Sequence, residues 1–582
     1  MYLSRFFTFI LVTLFISVNA QKANDLLLQT SELHHLLVNY EADRGSLSRY
    51  YFVNNAPERR ERFRLFYNDY LNTLQKMAFD NLSQGGKVDY LLFKRDLEYQ
   101  LQLLGEEERE YDQIKKFTVY ADPIYEMEQK RRRGGYPESE KMSAMLDDIR
   151  EQILQAKGKL DRENDLVPGL AARAEQTVKG QQTALRSVYN FYAGYDPQFT
   201  WWMSSPHKKL DSVLTDYARA LKSKVDKTGL PKDDGSGIIG NPIGREALIR
   251  QLKREMIPYT PEELVEIANK EFAWCDKEML AASREMGFAN DWKKALEKVK
   301  QSYVAPGRQP EAILDLYNQS VEFIKKNDLI TIPPLAEETW RMSMMSAAQQ
   351  RVSPFFLGGE LLQISYPTSE MDQDEKLMSM RGNNPHFSRA TVHHELIAGH
   401  HLQGFMNNRF KEYRNFNTPF WTEGWALYWE MILWDKNFPR SPEDRVGMLF
   451  WRMHRCARII FSLNYHLNRW SPQQCIDFLV DRVGHERANA EGEVRRSFTG
   501  NYGPLYQLAY MMGALQFYAL KKELVDSGKM TYKQFHDAVL KENNIPVEMV
   551  RAALTDQTLK KDFVSEWRFY PLGTTGVSNT KK

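Results

Sequence analysis

The sequence predicts a mainly α protein, a large helical fold with a cleft and a small β-sheet or hairpin beside a histidine-rich segment. Three observations carry this expectation. Only 32 Gly and 24 Pro occur in 582 residues, too few for a turn-dense sandwich or barrel. Apolar residues recur at steps of three and four, as in Leu91, Leu92, Leu97, Leu101 and Leu104, the spacing of a buried helix stripe. Helix-start signals recur as well, in Thr260-Pro261-Glu262-Glu263, Ser441-Pro442-Glu443-Asp444, Ser471-Pro472-Gln473-Gln474 and Thr531-Tyr532-Lys533-Gln534, each with a hydroxyl cap and several with proline at the first helical position. With 42% hydrophobic and 26% charged residues the chain is globular, and at this length it splits into lobes.

Taken in order, residues 1–20 read as a signal peptide. Arg5 precedes an apolar run from Phe6 to Val18, and Val18-Asn19-Ala20 supplies small residues before Gln21. The run is too short for a permanent span, and no cysteine follows it to take a lipid. The expectation is an exported protein, periplasmic or extracellular, with no stable membrane anchor. Residues 21–240 form an N-terminal helical lobe, with amphipathic helices over Tyr90–Lys116, Glu140–Arg162, Leu170–Tyr192 and Lys208–Lys227. The glycine- and proline-rich stretch Thr228–Gly244 marks the boundary. A C-terminal lobe, 241–575, and a polar tail, 576–582, follow. Within that lobe Pro354–Pro367 reads as a hairpin or short edge strand, and its strand-like part Gly359–Tyr366 could offer an edge to which an extended peptide adds.

Lys and Arg number 78 against 76 Asp and Glu, a net charge of +2, so no basic excess is available for a nucleic acid. Cys275, Cys456 and Cys475 have no metal or disulfide spacing and read as small buried hydrophobes. No oligomeric state is implied.

The chemistry concentrates in Thr391–Gln403, where four of the twelve histidines fall around one glutamate. A zinc hydrolase needs neutral imidazole ligands, a carboxylate beside the metal-bound water and an open position. The usual HExxH spacing becomes His394-Glu395-Leu396-Ile397-Ala398-Gly399-His400 here. Six residues turn a regular helix by about 600°, so His394 and His400 would face apart. Both bind one ion only if the helix is bulged or broken, which Gly399 would permit. His401 is the stand-in for His400, and His393 a supporting or packing residue. The third ligand is expected at Glu423 in Phe420–Glu430, with Glu430, seven residues on and on the same face, orienting a histidine. Tyr510 is the candidate donor to a developing oxyanion, with His466 or Arg496 behind it.

The paired motifs H-E-x-x-x-G-H-H-x-Q and E-G-W-A-L-Y-x-E resemble the bacterial family named domain of unknown function 885, which is similar to a distant branch of the gluzincin metallopeptidases. The likeness extends from the Gly244 region to about Thr558 and only weakly through the N-terminal helices. It implies a helical fold with a small sheet beside a zinc site, and peptidase-like activity. Carried over, it makes His394 and His400 metal ligands, Glu395 the general base and Glu423 the third ligand. Arg458 and His466 match an Arg and a His of the family, with Ser462 where an Asp is usual. Pro504, Tyr510 and Gly513 match a later pattern, in which Tyr506 replaces a Gln. The family's proline before the motif glycine is Ala398.

The resulting expectation is an exported zinc metallopeptidase with one Zn2+ per chain and a peptide substrate, Mn, Co or Fe suiting the same ligands. The alternatives are a non-catalytic binding protein with a structural metal, or a metal-dependent esterase or amidase acting on non-peptide substrates.

Overall fold

The structure is a computed structural model that describes residues 31–135, 137–226, 233–500 and 502–572. The signal-peptide reading of residues 1–20 and the polar tail at 576–582 lie outside the described residues. The chain is 69% helical, with one two-stranded sheet among the described residues, and the mainly α expectation holds. Among the described residues no helix is long and apolar enough to cross a membrane.

The chain divides into two compact units. One comprises Leu33–Asn81 and Tyr90–Leu230. Its long helices Ser139–Lys159, Pro168–Tyr192 and Pro197–Ser223 bury a core that includes Leu146, Ile149, Ile153, Val178, Leu185, Leu210, Leu214 and Tyr217. The last of these helices begins well before the expected Lys208. Asp196 caps it, accepting from the backbone N–H groups of Gln198 and Phe199, and Pro197 opens it, so Pro206 is carried inside the helix rather than ending it.

The other unit comprises residues up to Glu32, Leu82–Asp89 and Pro231 onward. Segment 82–89 is held there by a buried ion cluster. Arg414 Nε lies 2.6 Å from Asp89 Oδ1 and its Nη1 2.7 Å from Glu542 Oε2, while the Tyr413 hydroxyl donates to Asp89 Oδ2 at 3.0 Å. The sequence-read caps are present. Thr260, Ser471 and Thr531 close capping boxes with Glu263, Gln474 and Gln534, and Ser441 accepts from the Asp444 N–H. All three cysteines are buried and free.

Pro354–Pro367 is not simply a hairpin. Strand β2 (Leu361–Ile364) pairs in parallel with β1 (Arg341–Met344), a strand the sequence did not reveal, from Arg341 opposite Leu361 to Met344 opposite Ile364. Leu357 and Gln363 form one antiparallel bridge on the other side of β2, so that edge is partly covered. β1 is only four residues long and shows no clean inside-outside alternation, which removes the period-2 signal.

Two helices cross at near-contact distance and fix the site. The glutamate helix (Pro419–Asp435) packs on the tyrosine helix (Tyr506–Lys521) through facing glycines. A Cβ on Gly424 would lie 2.5 Å from Gly513 Cα, and one on Gly513 would meet the Phe420 carbonyl. Any larger residue would force the backbones apart, so Gly513 sets how near Tyr506 and Tyr510 come to Glu423.

Candidate metal centre

The histidine helix ends at Glu395 and a second, short helix starts at His400. The chain is therefore broken between the two histidines, not bulged. Across the break the Gly399 N–H donates to His393 O at 3.0 Å and the Leu402 N–H to Leu396 O at 3.3 Å. A Cβ on Gly399 would lie 2.6 Å from His393 O and closer still to His394 O, so glycine is required by crowding.

This break turns the two imidazoles toward one point. Their ring centroids are 4.9 Å apart and nearly perpendicular. His400 Nε2 lies 3.2 Å and His394 Nε2 3.6 Å from Glu423 Oε2, and the three residues form one compact set of donor atoms. The far nitrogens are anchored. His394 Nδ1 is 2.7 Å from Glu430 Oε1, and an ionised carboxylate only accepts, so Nδ1 carries the proton. His400 Nδ1 is 3.1 Å from Gln403 Oε1. The amide nitrogen of Gln403 is used on the carbonyls of Trp421 and Thr422, so His400 Nδ1 also donates. When neutral, both rings present Nε2 lone pairs to the same space, the arrangement in which the outer partner fixes a metal-binding tautomer.

Glu423 completes the fit. Its Oε1 accepts from the Tyr506 hydroxyl, whereas its Oε2 is buried and, among the described residues, no donor meets it with hydrogen-bond geometry. A buried carboxylate oxygen without such a partner, facing two imidazole lone pairs, is a donor set suited to a divalent cation. Without the ion, burial opposes charge on His400 but Glu423 overcomes it and lifts His400 to about 9. Burial likewise opposes ionisation of Glu423, and His400 and His394 hold it well below the usual carboxylate range. A metal here competes with a proton on His400.

Glu395 follows His394 directly and lines the adjoining cavity of about 200 Å³. Burial raises its pKa, which suits a group that takes and returns a proton. Gly358, in the lead-in to β2, packs against it, and the Gly359 N–H approaches Glu395 O at 3.4 Å. Tyr510 also lines the cavity, its ring stacked 6.2 Å from that of His394. Arg458 and Arg496 line the same wall.

Two expectations are corrected. His401 is not a supporting residue of the site: its Nε2 donates to Ala336 O at 2.7 Å, so it points away and cannot replace His400. His466 is not brought to the cavity. It lies eight residues beyond Arg458 on the same helix, about 12 Å along the axis, where it packs against Tyr465 and Phe498 and does not line the cavity. Burial lowers it to about 4, a neutral imidazole. His393 is packing, edge-on to Phe438 with neither ring nitrogen hydrogen-bonded. Sequence reasoning gave no role to Gln403 and Tyr506, although its motifs contain both, and passed over Arg455 and Gly358 as site residues. Gln403 stands three residues after His400 and Arg455 three before Arg458, the helical spacing that brings side chains together.

The chain belongs to the family described as bacterial protein of unknown function (DUF885), which it matches over residues 50–554. The match takes in the N-terminal helices, where the likeness by motif was weak. A "putative lipoprotein of unknown function" from Shewanella oneidensis aligns with TM-score 0.64 at 15% identity, over 90% of this chain and 100% of that one. The "putative lipoprotein" from Colwellia psychrerythraea aligns with TM-score 0.53 at 16% identity, over 86% of this chain and 91% of that one. At such identities the likeness is one of fold. No curated protein matches the chain.

Proposed function

We propose that the protein is an exported zinc-dependent metallopeptidase of gluzincin type, with His394, His400 and Glu423 as ligands. The observation that carries the reading is Glu423 Oε2, buried without a hydrogen bond and facing two imidazoles whose far nitrogens are committed as donors. His401 is engaged elsewhere, which leaves three protein ligands, the number of a catalytic zinc site and not of a closed structural one. The apolar leader read at residues 1–20 and the names of the two lipoprotein-like structures support export.

When bound, zinc supplies Lewis-acid polarisation of a carbonyl and a water whose pKa falls toward ~7. The protein supplies the rest. Glu430 and Gln403 hold the two imidazoles in the ligating tautomer, and Tyr506 holds Glu423 by its other oxygen. Glu395, buried beside the ligands, accepts a proton from the attacking water and returns it to the leaving nitrogen. The Tyr510 hydroxyl donates to the oxygen on which charge develops. Closure by Phe355, Phe356 and Trp451 limits water and strengthens each of these interactions.

Metal content and hydrolysis of a peptide pool, measured on the mature protein, His394→Ala and Glu395→Gln, test the reading. The expected result is about one zinc per chain, lost in His394→Ala, with zinc retained and turnover abolished in Glu395→Gln. Bound metal with no turnover on any peptide overturns the peptidase reading, and turnover of esters alone replaces it with an esterase.

A further inference from the structure

We propose that Arg455, Arg458 and Arg496 form a subsite for the free C-terminal carboxylate of a peptide, so that the site acts one or two residues from that end. The inference rests on the peptidase reading above and adds its substrate class.

The three guanidinium side chains line the cavity that His394, His400 and Glu423 also line. They are poorly neutralised. Arg458 Nε lies 2.7 Å from Glu493 Oε1 and Arg496 Nε 2.8 Å from Glu493 Oε2, so two cations share one carboxylate. Among the described residues the one ion pair of Arg455 is with Glu430, at 3.4 Å, and Glu430 already accepts from His394. Among the described residues, Arg458 Nη1 and Arg455 Nε are buried with no hydrogen-bond partner, in side chains only 2% and 5% exposed. With Glu423 and Glu395 assigned to the metal and its water, these three cations are left with two carboxylates, a costly arrangement unless an anion joins them. A carboxylate matches the planar guanidinium fork with two parallel hydrogen bonds.

Position fixes which carboxylate. The Tyr510 ring adjoins both groups, 6.2 Å from the His394 ring and 4.3 Å from Arg458 Cζ. Once the stand-off of an ion pair is allowed for, this leaves at most one or two residue lengths of ~3.5 Å between the reacting carbonyl and the anion. The cavity, at about 200 Å³, is smaller than the ~300–1,000 Å³ of common ligand pockets, and it suits a chain end better than a chain passing through. Phe355 and Trp451 give the terminal side chain an apolar wall. Hydrolysis there breaks the C–N bond, places the water oxygen on the carbonyl carbon and delivers a proton through Glu395 to the leaving amine, which departs as a free amino acid or dipeptide.

The test compares an N-acetylated tetrapeptide ending in phenylalanine, as free acid and as carboxamide, for kcat/KM and for cleavage position by mass spectrometry. Calorimetric binding of N-acetylphenylalanine and its amide to the zinc-loaded protein runs beside it. The expected result is release of one or two C-terminal residues from the acid, with the acid preferred about 10- to 100-fold in both readouts, the worth of a charge-assisted hydrogen bond. The preference should collapse in Arg458→Gln or, where that variant fails to fold, in Arg455→Gln. Acid-selective binding without cleavage of any peptide supports the subsite while refuting the peptidase reading. Equal cleavage of acid and amide, or cuts far from the end, overturns the subsite and leaves the peptidase. Fast cleavage of an amidated peptide ending in glutamate also overturns it, by assigning the arginines to an acidic side chain. Neither cleavage nor acid-selective binding overturns both.

Discussion

Gly358→Ala should inactivate the protein without removing its metal. A Cβ built on Gly358 lies 2.7 Å from both Cα and Cβ of Glu395 and nearer still to its Oε2, against 3.4–4 Å for ordinary contact. Glu395 or the 355–359 loop must therefore retreat by about 1 Å, and a misplacement of that size at a reacting centre costs about 100-fold in rate. Overpacking of this kind also destabilises by about 1–3 kcal/mol. The atoms that hold the metal are not touched, because the contact falls on Glu395 rather than on His394, His400 or Glu423. The assay is kcat/KM on a peptide pool together with zinc affinity and Tm. The expected outcome is a fall of about 100-fold in kcat/KM, carried mainly by kcat, with zinc affinity within a few-fold of wild type. Wild-type turnover in a folded Gly358→Ala protein would refute the role of Glu395, and loss of zinc would refute its separation from the ligands.

Three further outcomes are expected. Glu430→Ala removes the acceptor at 2.7 Å from His394 Nδ1 and should weaken zinc about 10- to 100-fold, read by competition with a chromogenic chelator. Gly513→Ala drives a methyl group into the Phe420 carbonyl and should cost about 1–3 kcal/mol, seen as a lower urea midpoint, with reduced activity as Tyr506 and Tyr510 are displaced. Glu548 is pushed up to about 7 by burial from an ordinary 4.5, so the folded state holds this proton more tightly than the unfolded one. The stability it contributes is fully present below about pH 4.5 and is lost as pH rises through about 7, by up to ~3 kcal/mol. Denaturation of Glu548→Gln across that window should show a correspondingly smaller decline than wild type, and identical slopes would refute the assignment.

Much of the site was legible because its residue types are costly to bury for any other reason. His394, Glu395, His400, Glu423 and Glu430 stood out as polar groups in apolar helices, and the structure brings all five together. The helix starts were legible for a similar local reason, since a hydroxyl and a Glu or Gln three residues apart need only each other. What was not legible depended on distant partners. The choice between His400 and His401 turned on Ala336, 65 residues upstream, which takes the proton of His401. β1 carries no pattern of its own and exists through its pairing with β2. Arg496 was legible only as support for Tyr510, Arg458 only as a family match and Arg455 not at all, because the crowding of the three arises only when Glu493 and Glu430 are shared among them.

The break at 396–399 also separates two quantities that an unbroken helix ties together. On a regular helix the gap between two ligands follows from pitch, and every ion must accept it. Here the gap is set by four residues of non-helical backbone, each ring being braced independently of the other, one by Glu430 and one by Gln403. The size of ion that the site prefers thus becomes a property of the link, open to adjustment by substitutions at Leu396, Ile397 or Ala398 that alter no ligand.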